Sequence, residues 1–245
     1  MNYEKYELSK LEWLEAIAVY ALLAGLVAFF FYRSGKVFGV LCVGFPIYLR
    51  YLMSKKKDKR KKRLLDEFSE TLSSVCVNLR SGYSLENAFL ESYKDIVMFY
   101  GRKSLMASEI QKIRKGLEVN ITLEELIEDL ANRSKEKEIL LLSEVIKSAK
   151  RNGGNITEVL SNTAERIRSG VIVDKEIDTI LSEKKLELKI MESVPFILMV
   201  YLEVTSVGYF DSLYVGIRGR VFMTVCLLIY MVAVIIGKKL IKIEV

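Results

Sequence analysis

Residues 167–200 read IRSGVIVDKEIDTILSEKKLELKIMESVPFILMV, a charged stretch that passes into an apolar one with no proline before Pro195. Ile167, Val171, Ile177, Ile180 and Leu181 keep helical spacing, and Gly170 costs a helix only about 1 kcal/mol relative to alanine. The stretch therefore predicts one long helix, beginning near Asn155, that leaves a polar domain and enters a membrane. The whole chain has the same mosaic character. Its 245 residues are 51% hydrophobic and 28% charged, and its mean hydropathy is +0.22. So much charge beside so high a hydropathy implies apolar and charged blocks laid out in series.

Four apolar blocks stand out. WLEAIAVYALLAGLVAFFFY, 13–32, carries one charge and has the roughly 20-residue length that crosses a bilayer. The segment before it mixes acids and bases and no small-x-small cleavage site follows, which favours an anchor over a signal peptide. Residues 36–53 predict a short second span, kinked at Pro46 and extended by snorkelling of Lys36 and Arg50. Residues 193–210 and 221–237 predict a second hairpin. Lys and Arg set the orientation. KKKDKRKKR, 55–63, follows the second span, and Lys238, Lys239 and Lys242 follow the fourth, whereas the opposite loops hold only Arg33 with Lys36 and Arg218 with Arg220. Both termini and the central region are thus expected on the cytoplasmic side of the cell membrane. Lys55, Lys56, Lys57, Arg60, Lys61, Lys62 and Arg63 are expected to meet anionic lipid, and no nucleic acid, since no aromatic residue is interleaved to stack on bases. Ala21 with Gly25, and Ala24 with Ala28, have a spacing suited to close helix contact.

Between 55 and 190 apolar residues recur at steps of three and four. Leu65, Phe68, Leu72, Val75 and Leu79 form one stripe that stops at Gly82, a natural C-terminal cap. Ser84 opens a second helix with Leu85, Ala88, Phe89 and Ile96 on one face, and a third carries Met106, Ile110 and Ile113. Thr122 with Glu125, and Asn155 with Glu158, have capping-box spacing, and a fifth helix lies between them. A basic residue and glycine, a short turn and a fresh N-cap recur in LRSGYSLENAF from Leu79, IRKGLEVNITLEEL from Ile113 and AKRNGGNITEVL from Ala149. The expected fold class is all-α, with four transmembrane helices and a cytoplasmic helical bundle. The expected divisions are a membrane hairpin at 1–54, the bundle at 55–190 and a second hairpin at 191–245.

Histidine is absent and the three cysteines are far apart, which excludes His-dependent nucleophilic chemistry, CxxC redox units and structural zinc. GxxxxGK[ST] is also absent, so no nucleotide hydrolysis, and no cofactor, is expected. The acidic pairs Glu124–Glu125 and Glu128–Asp129 are expected on solvated faces. Glu203 lies inside the third apolar block, where a carboxylate costs a few kcal/mol. It sits near an interface or bonds another span, or it binds an ion or a pilin.

The order and wording of these elements resemble the type II secretion system F domain, found in inner-membrane platform proteins of type II secretion, type IV pilus, archaellum and tight-adherence (Tad) pilus machines. The resemblance covers roughly Leu64 to Leu202. It rests on FSETLSSVCVNLRSGYSLENAF and on SEVIKSAKRNGGNITEVLSNTAERIRSGVIVDKEIDTILSEKKLELKIMESVPFIL: an R-x-G helix end, a Ser-Leu helix start, a basic-Gly-Gly turn and a Leu-x-x-x-Ala helix. Tyr83 departs from it, since the family often has a small residue there. One such domain between two pairs of spans is similar to single-domain Tad-type members. The resemblance implies a non-enzymatic assembly scaffold that docks on a separate cytoplasmic secretion ATPase, gathers prepilin helices and pairs with a second platform subunit or a second copy. The turns with Arg80, Gly82 and Ser84, and with Lys150, Gly153, Gly154 and Asn155, are candidate partner contacts, though helix capping alone explains such turns. A small transporter or channel subunit built around Glu203 is the alternative, and it would need more intramembrane polar groups than Glu203, Thr205 and Ser206 supply.

The charge asymmetry makes a direct prediction. Reporter fusions after Lys57 and after Lys242 will behave as cytoplasmic and one after Arg33 as external, and an external reading at Lys57 would reject the topology.

Overall fold

The computed structural model describes residues 3, 8–33, 35–152, 156–206, 208, 214 and 216–243. Among the described residues every regular element is a helix: α1 (Lys10–Val27), which continues as a π-helical turn at Ala28–Tyr32, α2 (Gly35–Cys42), α3 (Phe45–Arg80), α4 (Leu85–Tyr100), α5 (Leu105–Glu118), α6 (Leu123–Ser134), α7 (Lys137–Asn152), α8 (Ile156–Thr205) and α9 (Ile217–Ile243). The fold class is all-α. The chain divides into two units, Met1–Glu7 with Met53–Asp174, and Leu8–Leu52 with Lys175–Val245. Both α3 and α8 belong partly to each.

The first unit is a helical bundle around one apolar core. Leu64, Phe68, Leu72 and Val75 of α3 are fully buried with Ala88, Phe89 and Ile96 of α4, Met106 and Ile110 of α5, Ile127 of α6, Ile139 and Leu142 of α7 and Leu160 of α8. In α3, α4 and α5 these are the stripes that the spacing predicts, except that Leu64 rather than Leu65 is fully buried. Connections of two to four residues send each helix back beside the last. Two buried carboxylates hold the bundle where apolar packing alone would not. Glu67 of α3 accepts the Met106 N–H and the Arg63 Nε–H, each at 2.9 Å, and Ser104 Oγ accepts the Ala107 N–H at 2.9 Å. Together they satisfy two of the amides that the first turn of α5 leaves without helical partners.

Glu109 of α5, 2% exposed, gathers four donors. Arg133 grips both oxygens, Nη2 to Oε2 at 2.6 Å and Nη1 to Oε1 at 3.1 Å. Lys112 Nζ and the Tyr3 hydroxyl donate to Oε1 at 2.7 and 2.9 Å. Arg133 Nε also donates to Asp129, and the Arg60 guanidinium lies 5.2 Å over the Tyr3 ring. Burial pushes the Glu109 carboxyl upward, but the hydrogen bonds from Arg133 and Lys112 outweigh it and leave the group below the ordinary carboxylate range. The same burial, with Glu109 beside it, pushes the Tyr3 phenol up.

The second unit holds the membrane-type helices. Among the described residues two helices are long and apolar enough to cross a bilayer, Lys10–Tyr32 with 23 residues and Arg218–Ile241 with 24. They match the predicted first and fourth spans. The predicted second span differs: Val43 and Gly44 interrupt it, so α2 has only 8 residues. The kink foreseen at Pro46 is instead a full break two residues earlier. Gly44 donates to the Leu41 carbonyl, which also accepts the Tyr20 hydroxyl at 2.6 Å, and a Cβ on Gly44 would stand 2.7 Å from that hydroxyl. Pro46 then falls in the first turn of α3, where its missing N–H costs nothing. The predicted third span is the end of α8, which carries Glu192 and Glu203 and stops at Thr205. Ala24 and Ala28 are buried, so the small-residue face of α1 is taken up inside this unit. The division after Asp174 precedes the composition change near 190. Within the second unit Leu188 lies over Gly237, whose added Cβ would come 2.6 Å from Leu188 Cδ1.

Glu109 gives the unit a pH dependence of known sign. Its folded pKa lies below the unfolded value of about 4.3, so its stabilisation is full above about pH 5 and is lost as pH falls through the lower folded value. Denaturant unfolding of the whole chain will therefore show Glu109→Gln destabilised at pH 6, with the gap to wild type narrowing toward pH 3.5. A gap independent of pH would refute the assignment.

Candidate functional site

The helices of the first unit end in a way that collects the repeated turns on one side. The α3–α4 turn is a Schellman motif. Gly82, at φ +91°, donates to the Leu79 carbonyl at 3.0 Å, and Tyr83 donates to the Asn78 carbonyl at 3.2 Å. Ser84 then caps α4 by accepting the Asn87 N–H at 3.3 Å. The α5–α6 turn repeats this geometry. Asn120, at φ +62°, donates to Leu117, and Ile121 donates to Gly116, both at 3.0 Å. Thr122 and Glu125 close the predicted capping box, each bond 3.4 Å. The echo in the sequence is therefore real, but its register differs from the predicted one. Leu79-Arg80-Ser81-Gly82-Tyr83-Ser84 corresponds to Leu117-Glu118-Val119-Asn120-Ile121-Thr122, and Gly116 is a residue of α5 with Leu126 packed against it. Asparagine takes the left-handed position that glycine takes in the first copy.

Lys150, near the end of α7, joins these turns. Its Nζ bonds Glu124 Oε1 at 2.6 Å, and it lies within electrostatic reach of Glu86 in the first turn of α4. The starts of α4 and α6 and the end of α7 thus share one end of the bundle. Glu124 is buried there, contrary to the expectation of a solvated face, because its pair with Lys150 closes over it. Burial pushes the Glu124 carboxyl up, but the Lys150 bond outweighs it and holds the group below the ordinary range. Arg80, Gly82, Ser84 and Lys150 are exposed, as are Tyr83, Val119 and Ile121. Tyr83, Asn87, Leu90, Glu91, Arg114, Leu117 and Glu118 line a shallow hollow between α4 and α5. Glu124, Lys147, Lys150 and Arg151 line a second. The candidate residues Gly153, Gly154 and Asn155 lie outside the described residues.

This end is a surface of mixed charge with three exposed apolar side chains, Tyr83, Val119 and Ile121. Cys76, the nearest thiol, is buried among the core residues, and burial pushes its pKa up, which suppresses nucleophilicity. Among the described residues no group of three acidic or cysteine side chains is placed to hold a metal ion. Sequence reasoning missed the second turn as a contact candidate because Lys115-Gly116 drew attention away from Asn120, and it missed Glu67 and Glu109 because nothing local marks a buried acid.

Two other predicted sites have protein partners. Glu203 meets the Arg33 guanidinium at 3.0 Å, and Arg33 lies 5.7 Å over the Tyr214 ring. The acid of the third apolar block is thus paired beside the end of the first apolar helix. In the basic run, Lys61 pairs with Glu136 at 2.8 Å, Arg63 with Glu67, and Arg60 stacks on Tyr3.

No protein-family model matches the chain, nor does any curated protein or solved structure.

The shared turn geometry is testable. Gly82→Ala and Asn120→Ala will each lower the unfolding free energy by about 1 kcal/mol, because alanine disfavours the left-handed region. Arg80→Ala will stay within about 0.5 kcal/mol. Far-UV circular dichroism through a denaturant titration reads all three, and an Asn120→Ala indistinguishable from wild type would deny the equivalence.

Proposed function

We propose that this protein is a membrane-embedded platform subunit of a pilus or secretion machine of the Tad or type IV type, a scaffold with no catalysis of its own. The observation that carries the reading is α8. It has 50 residues, about 75 Å at 1.5 Å per residue, and it runs from the repeated-turn end of the bundle into the apolar stretch that ends at Thr205. A bundle that merely anchored itself would need no such strut. The resemblance to the type II secretion F domain supports the same reading, since the resembling residues include both the turns and this helix.

On this reading four segments lie in the inner membrane, 13–32, 36–53, 193–210 and 221–237, and both termini are cytoplasmic. The large apolar side chains left exposed on the end of α8, among them Ile197, Leu198, Val200 and Val204, and on α9, among them Leu228, Ile229 and Ile235, face lipid or the helices of prepilins. The break at Gly44 is tolerated because Tyr20 and Gly44 satisfy the Leu41 carbonyl from within the protein. The end with Arg80 to Ser84, Val119 to Thr122 and Lys150 meets a separate cytoplasmic ATPase. Movement there reaches the membrane through α8, and a second platform subunit or a second copy completes the base.

The test is to break the strut. Glu183 is exposed on α8, whereas Asp178 is engaged with Lys185 and is the poorer site. Proline inside a helix costs about 3 kcal/mol and kinks its axis. Glu183→Pro will insert in the membrane and capture the ATPase but abolish pilus assembly, while Glu183→Ala will assemble normally. Assembly by the proline variant at the level of the alanine variant would reject a rigid linkage.

A further inference from the structure

The opposite end of the bundle carries a feature that the scaffold reading leaves unused. α4 closes on Met98 and Phe99, and Gly101, at φ +80°, turns the chain through Arg102 and Lys103 to the Ser104 cap of α5. Met98 is 83% exposed, the highest value among the large apolar residues described, and Phe99 is 64% exposed. Arg102 and Lys103 are exposed beside them. Two large apolar side chains, then Tyr100 and Gly101, then two cations form a composition that enters the boundary of a bilayer, with the apolar groups in the acyl margin and the cations at phosphate.

The position of the loop supplies the second half of the argument. The first turn of α5 is bonded to Glu67, and Glu67 to Arg63, so the loop stands level with the end of the basic run Lys55–Arg63. From there α3 leads back through that run to its apolar start at Phe45. Three of the run's own cations are occupied within the bundle, Arg60 on Tyr3, Lys61 on Glu136 and Arg63 on Glu67. Arg102 and Lys103 add exposed positive charge at the same level. At the other end of the bundle the exposed Val119 and Ile121 stand beside Glu118 and Glu125, so the charge next to the apolar side chains there is acidic, unlike that of this loop.

We propose that the α4–α5 loop is a second membrane contact of the helical bundle, in which Met98 and Phe99 enter the interface of an anionic bilayer and Arg102 and Lys103 meet its phosphates. The proposal rests on the membrane-embedded reading above. With this contact the bundle is held to the bilayer at a point other than α3 and α8, so a push at the repeated-turn end levers against the lipid surface and does not simply swing the bundle.

The chain's single tryptophan, Trp13, lets the two readings fail separately. The full chain is reconstituted in vesicles of phosphatidylglycerol and phosphatidylcholine whose acyl chains are brominated near the headgroup, with Trp13 reporting on the first span. A Trp13→Phe, Phe99→Trp chain reports on the loop, and substitution at so exposed a position leaves the fold intact. The expected result is bromine quenching at position 99 by a fraction comparable to that at Trp13, lost when Arg102→Glu and Lys103→Glu are added or when phosphatidylglycerol is omitted. Quenching at Trp13 with none at position 99, where aqueous iodide quenches freely, overturns the loop contact and leaves the membrane reading standing. No quenching at either position overturns both. Shielding of position 99 that grows with protein density in unbrominated vesicles identifies a second copy as the occupant and overturns the lipid contact. Quenching unaffected by the charge reversals overturns it too, because the anionic phosphates would then play no part.

Discussion

A carboxylate buried at Glu109 must find its counter-charges or cost several kcal/mol, and much of the bundle is arranged so that it does. Arg133 reaches it from the end of α6, Lys112 from the next turn of α5, and Tyr3 from the far N-terminal side of the first apolar helix. A bidentate arginine admits little sliding between α5 and α6. Apolar packing alone, in the buried cluster that includes Ile110, Ile127 and Leu130, would tolerate more, because leucine and isoleucine faces fit in several registers. The charge network therefore sets the helix registry while the apolar core supplies most of the favourable free energy. Glu67 does the same between α3 and α5 by capping the helix that carries Glu109.

Once α5 and α6 are registered, the ends of the helices follow. Turns of four residues leave no slack, so the α3–α4 and α5–α6 connections emerge together, and Lys150 of α7 can reach Glu124 and feel Glu86. The two Schellman turns serve this alignment by satisfying terminal carbonyls within the turn itself, without help from neighbouring segments. Their outward side chains are consequently free to differ: Arg80 and Tyr83 in one, Val119 and Ile121 in the other.

Much of this was legible in the sequence. Heptad-like steps from Leu72 to Leu79 and from Leu123 to Leu130 locate core faces because helix geometry ties burial to spacing. Ser84 and Thr122 mark helix starts because a hydroxyl oxygen is what an unpaired N–H needs. The long helix through Gly170 was legible because one glycine costs too little to stop it. What was not legible depends on distant partners. Glu109 and Glu124 look like any surface acid until Arg133 and Lys150 are folded over them. The break at Gly44 depends on a tyrosine 24 positions earlier in the chain, and proline at position 46 drew the prediction to the wrong residue. Asn120 was obscured by a nearer glycine, although asparagine is the next best residue for a left-handed helix end.

The pairing of Glu203 with Arg33 bears on how the membrane-type unit is built. An acid in an apolar helix is tolerated when a cation shares its burden, and Arg33 supplies one from the end of the π-helical turn. The wide turn at Ala28–Tyr32 frees a backbone carbonyl at Phe30, and the Tyr214 hydroxyl fills it at 2.6 Å while its ring lies under the Arg33 guanidinium. One tyrosine thus satisfies the irregular backbone and steadies the arginine that neutralises the acid. Removing Glu203 alone leaves Arg33 with its aromatic partner, whereas removing Tyr214 exposes a carbonyl and loosens a charge pair at once. The tyrosine, which carries no charge, is therefore the more exacting member of the cluster, and it lies outside every apolar block by which the spans are recognised.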